Sequence, residues 1–187
     1  TNPGHRFSVS KLAEGYPKTP EAKRNYYAME LRLKKLFRNN WTAGANLTFS
    51  RLTGNVSGLS NSDDFGAARP NSTRYFNQWF SNYDANWNPV DGPLPTDRRY
   101  ALKLYGYYAF DFGLTMGLYQ TVKDGNPITT QFAMNAFDSY MPYNRGDVGR
   151  YDTLKQTDLY AEYNFKFNDF SAQLNVNFSN LFDQKTV

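Results

Sequence analysis

Acid–base work on a glycosidic bond needs two carboxylates roughly 5–10 Å apart. Asp158 and Glu162 share a face if their segment is a strand, but the four-residue separation then holds them roughly 13 Å apart. No Ser or Lys nucleophile stands beside a base, and the glycines do not form the strand–loop–helix cradle that binds phosphates. The chain has one histidine, His5, and no cysteine, which removes His-based triads, thiolate nucleophiles, disulfides and thiolate zinc sites. These residues point away from an enzyme, with no catalytic set, no metal and no cofactor.

Residues suited to binding are more plentiful. Phe76, Trp79, Phe80, Tyr83 and Trp87 recur at helical spacing, so a short helix over 72–81 would gather rings on one face. Such a face either packs a loop or stacks on a ligand, and the ligand-binding candidates in the loops are Tyr75, Trp79, Trp87, Arg145 and Arg150. Asp63 and Asp64 supply too few oxygens for calcium, which takes about six to eight. In Arg145-Gly146-Asp147-Val148-Gly149-Arg150 the glycines suit turns, and the arginines can pair with Asp147 or Asp152.

Strands must position these groups. Alternation of apolar and polar residues, the signature of a two-faced strand, predicts six of them, at about 26–37, 41–51, 98–110, 114–122, 156–167 and 170–179. In the second, Trp41, Ala43, Ala45, Leu47 and Phe49 alternate with Thr42, Gly44, Asn46, Thr48 and Ser50. In the last, Phe170, Ala172, Leu174, Val176 and Phe178 alternate with Ser171, Gln173, Asn175, Asn177 and Ser179. The first sets Tyr27, Met29, Leu31, Leu33 and Phe37 against Glu30, Arg32 and Lys34, although its residues are also good helix formers. Fold class is therefore all-β: an antiparallel up-and-down meander.

Composition fits an unusual setting for that meander. Among 187 residues, 15 Phe, 15 Tyr and 3 Trp face only 7 Val and 1 Ile, the reverse of a soluble β core. Scattered basic residues and a net charge of +4 give no nucleic-acid footprint. The mean hydropathy of −0.71 excludes a bundle of membrane helices but not a membrane barrel, whose strands average polar and apolar faces. Three connections are tight, Arg38-Asn39-Asn40, Asp111-Phe112-Gly113 and Asn168-Asp169, while those at about 52–97 and 123–155 are long. That asymmetry is expected of an outer-membrane barrel, with short periplasmic turns and long extracellular loops. Trp41, Phe37, Phe110, Phe112, Phe167 and Phe170 beside the tight turns would form an aromatic girdle.

Several strings carry a resemblance. Arg51-Leu52-Thr53-Gly54-Asn55-Val56-Ser57-Gly58-Leu59, Asn61-Ser62-Asp63-Asp64, Arg74-Tyr75-Phe76, Leu94-Pro95-Thr96-Asp97-Arg98, Arg145-Gly146-Asp147-Val148-Gly149-Arg150 and Asn180-Leu181-Phe182-Asp183-Gln184-Lys185-Thr186-Val187 occur in this order. Together they resemble the barrel of Oar-like TonB-dependent receptors, over the span from about Asn2 to Val187. The resemblance implies a barrel of about 22 strands around a plug, often with a carboxypeptidase-regulatory-like domain ahead of it. It places this chain in the C-terminal part of the barrel of a bacterial outer-membrane transporter, with one strand to follow Val187. The implied partners are outer-membrane lipid, the receptor's own plug and remaining strands, the TonB complex and a captured ligand. Two other readings of the same residues are a soluble extracellular carbohydrate-binding β-domain, with Tyr75, Trp79 and Trp87 as stacking rings, and a surface adhesin barrel.

Overall fold

The structure is a computed structural model, which describes residues 23–55, 83–86, 88, 90–133, 139–168 and 170–185. The strands are β1 (Arg24–Arg38), β2 (Trp41–Gly54), β3 (Gly92–Pro93), β4 (Tyr100–Ala109), β5 (Leu114–Lys123), β6 (Pro127–Ile128), β7 (Phe132–Ala133), β8 (Ser139–Tyr140), β9 (Gly149–Arg150), β10 (Leu154–Phe167) and β11 (Phe170–Phe178). All six long strands expected from alternation are present. They form one antiparallel meander in the order β1-β2-β4-β5-β10-β11. The sheet is open: among the described residues β1 and β11 are its edges, and no closed barrel forms. The long connections are not structureless, since they carry β3, β6, β7, β8 and β9.

Local chemistry explains the tight turns. Asn39 and Asn40 both take positive φ, 56° and 67°, as a two-residue primed hairpin turn requires and as Asn tolerates. Between β4 and β5, Gly113 N–H bonds Phe110 O at 3.1 Å and Phe110 N–H bonds Leu114 O at 2.7 Å. With Gly113 at φ 96°, this is a three-residue loop closed by a glycine bulge. Asn168, at φ 42°, opens the β10–β11 turn, whose flanking residues Phe167 and Phe170 pair directly.

The chain divides into two compact units, one of 28–49, 99–125 and 152–187 and another of 1–27, 50–98 and 126–151. In the first, strand register sorts side chains into rows across the sheet. One row on the apolar face runs Ala43, Gly106, Leu118, Leu159, Phe178, and the next runs Trp41, Tyr108, Met116, Ala161, Val176. No described residue covers this face. Leu118 stays 49% exposed although β5 has a neighbour on either side, so among the described residues its exposure comes from the open face and not from an edge.

One expectation fails within β1. Arg32 Nε bonds Asn46 Oδ1 at 3.1 Å, which puts Arg32 on the polar face as predicted. Phe37 stacks on Tyr107, 5.8 Å between centroids and 23° between planes, and Tyr107 is paired with Thr42 on that same polar face. Alternation has therefore slipped by one residue between Arg32 and Phe37, the effect of a β-bulge. Lys35 lies in the slipped stretch. Its ammonium bonds the carbonyls of Leu36, Arg38 and Trp41 at 3.3, 2.8 and 2.9 Å and stands 3.7 Å from the centre of the Trp41 ring.

Among the described residues the second unit holds the buried large hydrophobic side chains Leu52, Tyr83, Val90, Leu94 and Met141. Strand β3 pairs with the end of β2, β6 with β9 and β7 with β8, and Tyr83 bridges Tyr140 in parallel. The Lys23 and Asn55 backbones are joined at 3.0 Å, and the Asn55 side chain accepts from Lys23 N–H at 2.7 Å.

Candidate functional site

Two places gather polar side chains: the loop unit and the polar face of the sheet. In the loop unit Asp97, 2% exposed, is a hub. One carboxylate oxygen accepts from the Leu52 N–H at 2.5 Å, the other is ion-paired with Arg150 Nη2, and the Asp97 carbonyl accepts from Arg150 Nη1 at 3.0 Å. A buried carboxylate without such partners would be costly to the fold. Arg145, 4% exposed, donates from Nε to Val90 O at 3.3 Å. Gly92 makes room for it, since a Cβ there would lie 2.9 Å from Arg145 Cβ. Asp147 accepts from Thr130 N–H at 2.8 Å and Thr130 Oγ1 at 2.6 Å.

Arg145 and Arg150 therefore brace β3, β9 and the turn after Leu94. Arg150 is ion-paired with Asp97, 53 residues away, a partner that the sequence reading did not name. The turn glycines behave as expected, with Gly146 and Gly149 at φ 75° and 110°. Tyr75, Trp79 and Trp87, the helix expected over 72–81, Asp63, Asp64 and His5 lie outside the described residues.

Electrostatics in these loops follow from hydrogen bonding. Asp84 accepts from the backbone N–H of Asn88 and of Asn86, both at 2.8 Å, and from the Asn88 side chain at 3.2 Å. The Asn88 backbone bond is the largest cause holding its pKa below the ordinary carboxylate value. Asp147 is lowered likewise, mainly by the Thr130 hydroxyl. Burial pushes the Tyr83 phenol upward.

The sheet's polar face is built from rows in register. One runs Thr42, Tyr107, Gly117, Tyr160, Asn177; beside it run Gly44, Tyr105, Tyr119, Asp158 and Asn46, Lys103, Thr121, Gln156. Gly44 is needed because the Tyr105 ring lies over it: a Cβ would come within 2.3 Å of Tyr105 Cζ. Asp158 accepts from Gln156 Nε2 at 3.0 and 3.2 Å and from Asn180 N–H at 2.8 Å. Glu162 accepts from the Tyr160 hydroxyl, and from Asn164 Nδ2 at 2.9 Å.

At the loop ends of the strands polar groups are capped. Arg99 grips Asp124, 3% exposed, through Nε at 2.6 Å and Nη2 at 3.1 Å. Gln120 interrupts the apolar face, and Thr157, directly opposite it, donates to its side-chain oxygen at 2.5 Å. The chain after β11 turns back beside them, with Leu181 N–H on Thr157 O at 2.8 Å.

Sequence patterning missed Asp97 and Asp124, because an isolated Asp between strands reads as a solvated turn residue. It also missed the tyrosine rows, which need strand register to assemble. Among the described residues no three His, Asp or Glu side chains come together as a metal site. Comparison of the chain with protein families, with curated proteins and with solved structures gives no match.

Proposed function

We propose that the chain is a barrel portion of a bacterial outer-membrane TonB-dependent transporter, of the Oar-like group its strings resemble. The observation that carries this reading is an apolar face that no described residue covers. Leu104 and Leu118 on central strands, and Met29, Leu33, Leu174 and Val176 toward the edges, are all exposed, while every buried apolar side chain among the described residues lies in the loop unit. A soluble sandwich would bury that face against a second sheet; hydrocarbon would cover it without any protein partner.

Strand length supports the same reading. The long strands have 15, 14, 10, 10, 14 and 9 residues, against about 9–11 for a tilted span. Phe110, Phe112, Phe167 and Phe170, all exposed at tight turns, suit headgroup level. Open edges at β1 and β11 call for further strands, since an unpaired edge cannot stay in lipid. In this role the polar rows wall the lumen, the loops capture ligand, and the TonB complex acts on a plug supplied by the rest of the receptor.

The test is fractionation of the native host followed by gel mobility with and without boiling. The protein should partition with the outer membrane and migrate faster unboiled, as folded barrels do. A protein that is soluble, monomeric and cooperatively folded without detergent would sink the proposal. Deletion of TonB should then abolish ligand uptake while leaving the folded barrel in place.

A further inference from the structure

We infer that the apolar face binds one anionic glycerophospholipid at a fixed place, with an acyl chain in a groove over β2 and β4 and the phosphate at Lys34 and Lys35. The site rests on the transporter reading only in needing this face to meet lipid.

The groove lies within the first unit and has a volume of about 1000 Å³. Ala43, Ala45 and Gly106 form its floor, Ala43 being paired with Gly106 and Ala45 with Leu104. Gly106 has no room for a side chain, since a Cβ there would lie 2.9 Å from Thr42 O and 3.3 Å from Ala43 Cβ. Trp41 and Tyr108 wall the groove toward the β1–β2 turn and Leu118 walls it on β5, and all three are exposed. The side chains on offer are therefore apolar or aromatic, which suits a hydrocarbon chain and nothing that needs a polar rim.

One end is different, because two lysines line it. The Lys35 ammonium stands 3.7 Å from the centre of the Trp41 ring and bonds the Leu36, Arg38 and Trp41 carbonyls. Those bonds occupy its three protons, so Lys35 supplies charge. Lys34, which precedes it in β1 and lines the same groove, supplies the donor.

Length and polarity select the occupant. Trp41 to Ala45 is four residues, roughly 14 Å at strand rise, close to half of the ~30 Å hydrocarbon core and so the reach of one leaflet. A lipid entering from the β1–β2 turn has its phosphate at headgroup level, where Trp and Tyr rings also settle, and cations at that level favour an anionic headgroup. A protein partner has less to hold. Strands β2, β4 and β5 each have a neighbour on both sides, so the groove opens no backbone edge to an added strand.

Native mass spectrometry of the full-length protein in mild detergent, titrated with phosphatidylglycerol and phosphatidylethanolamine of identical acyl chains, tests the site. Phosphatidylglycerol should be retained in preference. Ala45→Phe fills the floor, suits a strand and keeps the face apolar; it should lower the affinity for the first retained lipid roughly tenfold. Val176→Phe, on the same face but outside the groove, should leave that affinity at the parent value. Lys34→Gln should weaken phosphatidylglycerol roughly fivefold and leave phosphatidylethanolamine unchanged. Equal retention of the two lipids, retention that survives Ala45→Phe, or a Lys34→Gln variant that behaves as the parent overturns the inference. Each measurement is made on protein that migrates as a folded barrel unboiled. A chain that never gives that species and takes up no lipid overturns the transporter reading as well, whereas a folded barrel indifferent to Ala45→Phe overturns the lipid site alone.

Discussion

At the residue scale, the loop unit depends on a few buried charges. Asp97 satisfies a β2 amide and the Arg150 guanidinium at once, so Asp97→Ala removes the carboxylate from both and leaves Arg150 its bond to the residue 97 carbonyl. Removing one partner of a buried ion pair costs about 3–5 kcal/mol. Limited proteolysis should accordingly cut within 90–151 at far lower protease concentration in the variant. Arg150→Lys, which keeps the charge but loses the second nitrogen that reaches the Asp97 carbonyl, should fall between the two. The Asp147 turn adds a pH dependence whose direction follows from its lowered pKa. The Thr130 clasp stabilises the turn fully above the ordinary carboxylate pKa of about 3.9, and is lost as pH falls through the lower folded value. The Thr130 amide resonance should therefore hold steady down to that range and shift only below it; a shift near neutral pH would contradict the assignment. Of these residues Arg145, Asp147 and Arg150 stood out in the sequence. Charge and loop position marked them, but their partners lie far along the chain, and no local pattern encodes a pairing over 53 residues.

At the element scale, period-two alternation located every long strand because each has one wet and one apolar face. It misplaced Phe37 for a physical reason: a bulge preserves composition while shifting phase, and a sequence with Lys35-Leu36-Phe37 in succession does not say which of two apolar residues has crossed over. Lys35 fixes that choice. With three carbonyls and an indole around its ammonium, it holds the bulge and the following turn together. Lys35→Met keeps the aliphatic stem and loses the bonds, so Phe37 should leave Tyr107; fluorine-labelled phenylalanine at position 37 would report increased motion. Gly44 is the second such point. Gly44→Ala sets a Cβ against the Tyr105 ring at 2.3 Å, and this partly exposed ring must swing aside, at less than the about 1–3 kcal/mol that overpacking a buried core costs. The unfolding midpoint in denaturant should drop accordingly. Substituting Tyr105→Ala in the same chain should recover part of the loss, since it removes the clash.

At the scale of the whole molecule, the question is what covers the apolar face. Leu174 and Asn175 are adjacent on β11 and point to opposite sides, Leu174 opposite Tyr163 and Asn175 opposite Glu162. They make a matched pair for one substitution. If hydrocarbon covers the face, Leu174→Arg places a guanidinium in lipid near the middle of the strand, at about 2–4 kcal/mol. Asn175→Arg places the same charge on the wet side, beside a carboxylate. The fraction of protein migrating as folded barrel in unboiled samples should fall for Leu174→Arg and stay at the parent level for Asn175→Arg. Were the face turned to water, both variants would assemble alike, because an arginine on a solvated strand surface costs little. Were it covered by a second protein layer, Leu174→Arg would still be penalised, but the penalty would persist after transfer from lipid bilayers into a detergent-free polymer-stabilised state. A lipid-facing arginine should instead be relieved wherever the surrounding belt admits water, so the dependence of the assembled fraction on bilayer thickness separates the two: thinner bilayers should rescue Leu174→Arg if lipid is what the sheet was built to meet.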